Sequence, residues 1–420
     1  AGHQFGTFVP QLGDGRALLL GEITDVNGEK KDIQLKGSGR TPFSRNGDGR
    51  ATLGPVLREY LISEYMNAIN IPTTRSLAAI STGETIIRET KLPGALLVRV
   101  ASSHVRIGTF QYFYARQMDA ELKVLADYII AKHYPSALSK ENPYLDLFRQ
   151  IVKRQADLVS DWMSIGFIHG VMNTDNTSVT GETIDYGPCA FMDRFQFDKV
   201  FSSIDHTGRY SYQNQPKIIL WNLSRLAETM LTLIDANIDV AVKKMQELLS
   251  EFPKLYEDLW VKKMSGRLAL IKSKNSDRIL VENFLKLLHD KNLDFNTSFY
   301  LLVYLLGEDE LIDALPLDHQ QTIKNIKASD WHNTWKKRLD PEMVDKKALE
   351  KRLKLKNPIA FPRNHLVEKA LNSAIYEGNL QPFKDLLKGL MNPFLERSLD
   401  DPFAHPPNPN EEVTQTFCGT

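Results

Sequence analysis

The hydrophobic pattern of this chain changes its period at about residue 115, and that change limits the folds open to it. Before this point "KKDIQLKGSG" alternates apolar and polar residues, as a half-buried strand does, and glycine-rich turns follow each apolar run. One segment, "PVLREYLISEYMNAIN", instead repeats its apolar residues at helical spacing. After residue 115 almost every long segment has the helical period. The pattern predicts an α+β protein in which strands come first and helices follow.

The length of 420 residues exceeds what one hydrophobic core usually supports, so we expect several structural units. We predict a strand-rich unit over residues 1–115, a helical unit over 116–330, and a helical extension with a Pro-rich tail over 331–420. The first residue is not Met and the sequence enters strand-like pattern at once, which predicts further residues upstream.

Charge and composition exclude several classes of protein. Lys plus Arg and Asp plus Glu both number 52, so no overall field attracts nucleic acid or an anionic membrane. No run reaches the roughly 18 apolar residues of a membrane span, and the start "AGHQFGTFVP" lacks the basic and apolar regions of a signal peptide. We therefore expect a cytosolic or organelle-matrix protein. Cys189 and Cys418 are the only cysteines, too few for a disulfide framework or a Cys-rich zinc site.

Lys36 and Glu59 form the first candidate pair. Lys36 ends the alternating strand, and Glu59 lies in the first turns of the helix that follows. In kinase-type phosphotransferases a strand lysine contacts the phosphates and a glutamate of the next helix holds it. The alternative is that both residues are ordinary solvated surface charges.

Two glycine-rich loops supply backbone amides that can approach phosphate oxygens. The first contains Gly13, Gly15 and Arg16, and a simple Asp-Gly hairpin turn between two strands is its alternative interpretation. The second contains Asp48 and Gly49 within a dense group of arginines, and its alternative is a solvated loop.

Arg99 and Arg106 lie in and just after the strand "ALLVRVASSHVR". Arg99 stands in a mostly apolar run, where an unpaired guanidinium is costly, so it must contact either an internal carboxylate or a bound phosphate. The sequence leaves both alternatives open.

The stretch "FIHGVMNTDNTSVTGETIDYGP" concentrates polar residues in the manner of a catalytic loop. Asn176 and Asp185 offer the oxygen ligands that Mg²⁺ prefers, as the catalytic-loop Asn and the Asp-Phe-Gly Asp do in kinases. Val171 occupies the position of the kinase base and cannot accept a proton, so Asp175 is the candidate base. The alternative is a capped polar turn, with His169 as a core histidine. These positions, taken in order, favour a kinase-like fold with two lobes.

Several longer motifs resemble the selenoprotein O family, whose members are YdiU-like proteins with a kinase-like fold. The resemblance covers nearly the whole chain, and its motifs are "AGHQFG", "QLGDGRA", "GSGRTPFSR", "REYLISE", "HGVMNTDN", "DYGP", "NPIAFPRN" and "FCGT". It implies an enzyme that transfers AMP from ATP to Ser, Thr or Tyr hydroxyls of proteins. The family binds ATP in the reverse of the kinase orientation, with Mg²⁺ or Mn²⁺.

The resemblance also implies a role for individual residues. Asp175 is the proton acceptor, Asn176 and Asp185 hold the metal, and Asp185 also belongs to the nucleotide site. The remaining nucleotide-site residues that it implies are Gly13, Gly15, Arg16, Lys36 held by Glu59, Asp48, Gly49, Arg99 and Arg106.

Cys418 stands third from the end, where some family members carry selenocysteine. A cysteine here is typical of a mostly bacterial branch, so we expect a bacterial cytoplasmic protein, or a mitochondrial one if the source is eukaryotic. The family's redox control links this residue to a cysteine in the activation segment, but "FDKVFSSIDHTGRY" has none and Cys189 is the only other thiol.

Three alternatives to AMP transfer remain at this stage. UMP transfer from UTP with Mn²⁺ is a close variant. A conventional phosphotransferase requires a base where Val171 stands. A non-catalytic nucleotide-binding scaffold requires no base at all.

Overall fold

The computed structural model describes residues 1–12, 14–307, 310–339 and 345–417. The first part contains most of the strands. These are β1 (Gly2–Gln4), β2 (Thr7–Val9), β3 (Ala17–Thr24), β4 (Lys30–Lys36), β5 (Ala51–Thr52), β6 (Arg75–Ile87) and β7 (Lys91–Ala101), followed later by β8 (Phe167–Ile168) and β9 (Ala190–Phe191).

The helices occupy most of the remaining chain. They are α1 (Leu53–Ala68), α2 (Ile107–Tyr114), α3 (Asp119–His133), α4 (Pro143–Ile165), α5 (Gln215–Ile234), α6 (Ile238–Arg267), α7 (Asp277–Asp290), α8 (Phe295–Leu301), α9 (Glu310–Asp313), α10 (Leu317–Lys327), α11 (Asp330–Leu339), α12 (Lys346–Lys356), α13 (Asn364–Tyr376) and α14 (Gln381–Leu390). A strand-rich beginning and a helical remainder agree with the predicted α+β class.

The main sheet is antiparallel and has five strands. Its order is β3-β4-β7-β5, and β6 pairs with the other edge of β7. The prediction of a hairpin turn at Gly13–Gly15 between neighbouring strands is wrong. β2 pairs with β1, and β3 pairs with β4. The chain therefore leaves the two-stranded sheet of β1 and β2 and enters the main sheet near these residues.

The inner face of the sheet carries the polar residues of β4 and β7. Gln34, Lys36 and Arg99 are all buried on this face, and Lys36 pairs in register with Leu97. Helix α1 packs on β6 and β7, and its Glu59 contacts Lys36 and Arg99. The sheet and α1 together build one wall of a cleft.

Helix α1 also packs against α13 and α14, from the region predicted to form a C-terminal extension. Arg58 pairs with Glu368 of α13, and the Tyr65 hydroxyl donates to the Ala360 carbonyl oxygen at 2.9 Å. The nearest side-chain atom to a Cβ placed on Gly54 would be Ile375 Cδ1, at 2.8 Å, so glycine permits the close approach of the two helices. The extension thus fixes the position of the helix that carries Glu59.

The helical part contains the main hydrophobic core, in which α4 packs against both α5 and α6. The segment between α4 and α5 crosses this core and carries the polar stretch around residue 175. Within the described part of the chain, no helix is both long enough and apolar enough to cross a lipid bilayer.

The tail after α14 lacks helices and named strands in its described part, up to residue 417, as the composition predicts. Its last described residues nevertheless lie beside the cleft. Thr416 forms a parallel bridge with Ser202, its amide donates to the Phe201 carbonyl oxygen at 2.7 Å, and the Ser203 amide donates back to Thr416 at 3.0 Å. Phe417 therefore lies at the margin of the cleft.

Candidate active site

A cleft of about 890 Å³ lies between the sheet and the polar stretch of the helical part. The predicted residues that line it are Gly15, Arg16, Lys36, Asp48, Gly49, Arg99, Arg106, Asp175, Asn176 and Asp185. Glu59 lies directly behind Lys36, and Gly13 falls outside the described residues. Residues spread over the first 185 positions of the chain thus meet around one space.

Lys36 and Glu59 form a direct ion pair, with Lys36 Nζ 2.6 Å from Glu59 Oε2. Glu59 also accepts hydrogen bonds from Arg99, at 2.7 Å from Nε and again from Nη2. The side chains of Glu59 and Arg99 are only 3% and 2% exposed. Burial raises the pKa of Glu59, but the Arg99 and Lys36 cations outweigh it and hold the pKa below its usual range. The surface-charge interpretation of the Lys36–Glu59 pair is therefore wrong.

Arg99 pairs with an internal carboxylate, that of Glu59, and its side chain also lines the cleft. Its Nη1 donates to Gln34 Oε1 at 3.1 Å, and its Nη2 lies 3.4 Å from Asp185 Oδ1. No sequence motif identifies Gln34 as part of this network, because an alternating strand can carry any residue type at that position.

Asp185 completes the charged network. Its Oδ1 contacts Lys36 Nζ, and its backbone adopts the left-handed conformation with φ +70°. Burial raises its pKa, but the Lys36 and Arg99 cations outweigh that effect and hold the pKa well below its usual range. His169 Nε2 lies 2.9 Å from the carbonyl oxygen of Ile184, so this buried histidine supports the Asp185 backbone. The carboxylate is therefore ionised and fixed in the cleft.

Asp175 lies opposite, on the single helical turn Thr174–Asn176. Burial raises its pKa to about 6, and its Oδ1 is buried with no hydrogen-bond partner among the described residues. Val171 also lines the cleft. A carboxyl group with a pKa near neutrality and a free oxygen is suited to accept a proton.

Asn173 holds this loop in place and was not singled out from the sequence. Its Oδ1 accepts a hydrogen bond from the Tyr210 hydroxyl at 2.7 Å and from the Phe5 amide at 3.2 Å. The contacts join the loop to two segments that are remote in sequence, so no local pattern identifies this role.

Arg106 and Asp48 each have a partner that local sequence does not indicate. Arg106 pairs with Asp14, which belongs to the first glycine-rich loop. Asp48 pairs with Arg88 through two bonds of 2.8 and 3.0 Å, and Arg88 holds the pKa of Asp48 down to about 2. Both arginines thus tie a loop to the rim of the cleft.

The two glycine-rich loops also contact each other. A Cβ on Gly15 would lie 3.0 Å from the Phe43 carbonyl oxygen, and Thr41 Oγ1 donates to the Asp14 carbonyl oxygen at 2.7 Å. Gly49 has φ +70°, and a side chain there would collide with the Gly39 carbonyl group. Glycine at position 15 therefore allows the two loops to approach each other, and glycine at position 49 allows the second loop to fold back on its own backbone.

The oxygen donors of the cleft fit a hard divalent cation. Asn176 Nδ2 donates to the Val171 carbonyl oxygen at 3.0 Å, so within the described chain its amide oxygen is the atom that remains for a ligand. Asp185 provides a carboxylate in the same cleft. Among the described residues no cluster of three or more His, Cys, Asp or Glu side chains is placed to hold a metal. Two protein ligands are enough for Mg²⁺ when phosphates and waters supply the rest.

Cys189 is a free, fully buried thiol, and burial raises its pKa to about 12. A thiol in that state is unreactive. Cys418 lies outside the described residues.

Proteins of similar sequence identify the family of this chain. A family model described as protein adenylyltransferase SelO matches residues 1–391. Proteins named protein nucleotidyltransferase YdiU from Rhodopseudomonas palustris strain BisB18, Bradyrhizobium diazoefficiens and Bacillus mycoides are 49%, 48% and 48% identical. Each alignment covers 100% of this chain and 85%, 85% and 84% of the relative. The chain therefore belongs to the protein adenylyltransferase SelO family and is a nucleotidyltransferase enzyme.

Proposed function

We propose that the protein transfers AMP from ATP to Ser, Thr or Tyr hydroxyls of proteins, with the triphosphate reversed relative to its orientation in kinases. The observation that carries this proposal is the charge of the cleft's buried end. Arg99 and Arg106 have side chains only 2% and 11% exposed, and both line the cleft. Buried guanidinium groups are well suited to the terminal phosphates and poorly suited to an uncharged base.

In the proposed reaction the acceptor hydroxyl attacks the α-phosphorus of ATP. Asp175 accepts the hydroxyl proton, a new oxygen–phosphorus bond forms, and the bond between the α-phosphorus and the bridging oxygen of pyrophosphate breaks. Negative charge then builds up on the departing pyrophosphate. Lys36, Arg99 and Arg106 stabilise that charge, and Glu59 keeps Lys36 and Arg99 in position.

Asn176 and Asp185 are the residues proposed to hold Mg²⁺ or Mn²⁺. The bound ion supplies positive charge to the phosphate oxygens. The fixed position of Asp185, between Lys36 and the cleft, supports its role at the same phosphates.

The two glycine-rich loops are proposed to contact the nucleotide through Gly13, Gly15, Arg16, Asp48 and Gly49. Arg16, Asp48 and both described glycines line the cleft, which supports that assignment.

We also propose that the chain has a kinase-like fold, with residues 1–115 as the nucleotide-binding lobe, 116–330 as the helical lobe and 331–420 as an extension. The Lys36–Glu59 pair between strand and helix supports this assignment. The location in the cell remains a prediction, and UMP transfer from UTP with Mn²⁺ remains the close alternative.

Transfer from ATP labelled at the α- or the γ-phosphate tests the reaction. We expect the acceptor protein to retain only the α-label, and the Asp185→Ala variant to transfer none. Retention of the γ-label would identify a phosphotransferase. Binding of ATP without transfer of either label would identify a non-catalytic scaffold.

A further inference from the structure

We propose that an aromatic and cationic surface beside Asp175 binds an acidic segment of the acceptor protein, next to the hydroxyl that receives AMP; this inference rests on the proposed function. The surface is called the acceptor patch here and consists of Phe8, Arg209, Lys217, Trp221 and Arg225. Phe8 belongs to β2, Arg209 to the segment before α5, and the other three residues to α5.

Aromatic contacts make the patch one continuous surface. The ring of His3 lies 5.2 Å from that of Phe8 and 5.2 Å from that of Trp221. The guanidinium carbons of Arg209 and Arg225 lie 4.8 and 5.2 Å from the centre of the Trp221 ring. Phe8, at the outer end of this row, is 39% exposed. Trp221 is therefore the centre on which the rings and the two guanidinium groups converge.

The patch has an excess of positive charge. Lys217 is exposed and stands four residues before Trp221, which places it on the same side of α5. Among the described residues Glu228 is the only carboxylate in an ion pair with the three cations of the patch, and it pairs with Arg225. The whole chain carries 52 basic and 52 acidic residues, so a local excess of this kind marks a surface for an anionic ligand.

The stacked arginines are prepared to bind carboxylates. A guanidinium that lies over an aromatic ring keeps its N–H groups at its own edge, where a carboxylate can accept two of them. The ring also limits the motion of the arginine, so less side-chain entropy is lost when the carboxylate binds. The patch thus offers acidic side chains both charge and fixed hydrogen-bond donors.

The patch adjoins the loop that carries the proposed base. The His3 amide donates to Thr174 Oγ1 at 2.7 Å, and Thr174 directly precedes Asp175. Gln4 and Phe5, the next two residues after His3, line the cleft. An acceptor whose hydroxyl reaches Asp175 therefore brings its neighbouring residues to the patch.

The nucleotide does not account for these cations. In the proposed function Lys36, Arg99 and Arg106 bind the phosphates, and none of the five residues of the acceptor patch lines the cleft. The expected ligand is a segment of protein that has Asp or Glu within a few residues of the Ser, Thr or Tyr that is modified.

Three synthetic peptides of equal length separate charge from shape. Each has one central serine, flanked by Asp and Glu, by Asn and Gln, or by Lys and Arg. We would measure their binding to the full chain by fluorescence anisotropy, with Mg²⁺ and an ATP analogue that has a methylene group between the α- and β-phosphorus. The analogue blocks transfer and occupies the cations of the cleft. We expect the acidic peptide to bind about tenfold or more tightly than the neutral one, and the difference to shrink at high salt.

Substitutions assign that preference to the patch. The Arg209→Gln, Arg225→Gln double variant should bind the acidic peptide about tenfold more weakly, with its affinity for the neutral peptide and for the ATP analogue unchanged. Lys217→Gln changes an exposed position, where the fold tolerates substitution, and should weaken binding of the acidic peptide alone by about threefold. Arg209→Lys keeps the charge and should retain most of the affinity.

Arg149→Gln is the matched control for the loss of one arginine. Arg149 lies on α4, away from the patch, and pairs with Asp146 three residues away, as Arg225 pairs with Glu228. This variant should leave all the affinities unchanged.

The inference is overturned by equal affinity of the unmodified protein for the acidic and neutral peptides, or by full affinity for the acidic peptide in both the double variant and Lys217→Gln. A short RNA that displaces the acidic peptide at a lower concentration than the unlabelled peptide does would assign the patch to nucleic acid instead. Failure of the proposed function is a separate result, namely no α-label transfer to any of the three peptides by a protein that still binds them according to charge.

Discussion

Replacement of Glu59 by glutamine tests the charged network most directly. Glu59 is 2% exposed and lies behind the cleft. Its carboxylate accepts hydrogen bonds from both Lys36 and Arg99. The Glu59→Gln variant keeps the shape and removes the charge, so two buried cations share the single carboxylate of Asp185. Removal of one partner from a buried ion pair typically costs about 3–5 kcal/mol of unfolding free energy.

That cost can be converted into a melting temperature. For 420 residues, with an unfolding entropy of about 2.1 cal/mol/K per residue, a loss of about 3–5 kcal/mol lowers Tm by roughly 3–6 °C. The assay is thermal unfolding of the nucleotide-free protein, monitored by calorimetry. We also expect a higher KM for ATP, because Lys36 and Arg99 lose the group that positions them.

Glu257→Gln is the matched control. Glu257 pairs with Arg278 at 2.7 Å, but the two side chains are 37% and 47% exposed, so the pair contributes at most about 1 kcal/mol. If Glu59→Gln lowers Tm no more than Glu257→Gln does, the network does not stabilise the fold in the way that its burial implies.

The remaining predictions concern Asp175, the ion pair between α1 and α13, and the proposed metal ligands. The transfer rate should rise with pH through about 6 and then level off, because Asp175 must be ionised to accept a proton. Asp175→Asn should lower the rate about 100-fold or more, because the variant has no carboxylate to accept the proton. It should also raise Tm at pH 8, because the raised pKa of Asp175 means that the folded state favours the protonated, uncharged group. A Tm that falls at pH 8 would contradict this. Glu368→Gln should cost about 1–3 kcal/mol in unfolding experiments, since Arg58 is 7% exposed and Glu368 36%. A loss no larger than that of Glu257→Gln would show that this ion pair does not help to anchor α1 to α13. Chelation of divalent cations should abolish transfer, and Asn176→Leu should require more Mg²⁺ for half-maximal rate; an unchanged Mg²⁺ titration would remove Asn176 from the metal site.

Local sequence predicts two parts of the site: the strand and helix that carry Lys36 and Glu59, and the polar stretch that carries Asp175 and Asp185. The alternation around Lys36 predicts its strand, and the helical spacing after Gly54 predicts the helix with Glu59. The polar stretch that contains Asp175 and Asp185 is recognisable from its composition alone. These features depend on neighbours a few residues apart, which is the range over which backbone propensity and hydrophobic period act.

Pairing between distant residues was decided only by the tertiary structure. The sequence left open whether Arg99 contacts a carboxylate or a phosphate, and the structure pairs it with Glu59. Asp48 pairs with Arg88, which no motif indicates. The strand pairing near Gly15 also differs from the local turn signal.

The sequence by itself therefore determined which residues are candidates for the chemistry, and it predicted the strand of Lys36 and the helix of Glu59. The tertiary structure decided which charges neutralise each other, and it placed α13 and Phe417 beside the cleft. The physical reason is that a buried charge is stable only beside a partner, and a partner is selected by how whole surfaces pack together, which no short stretch of sequence contains.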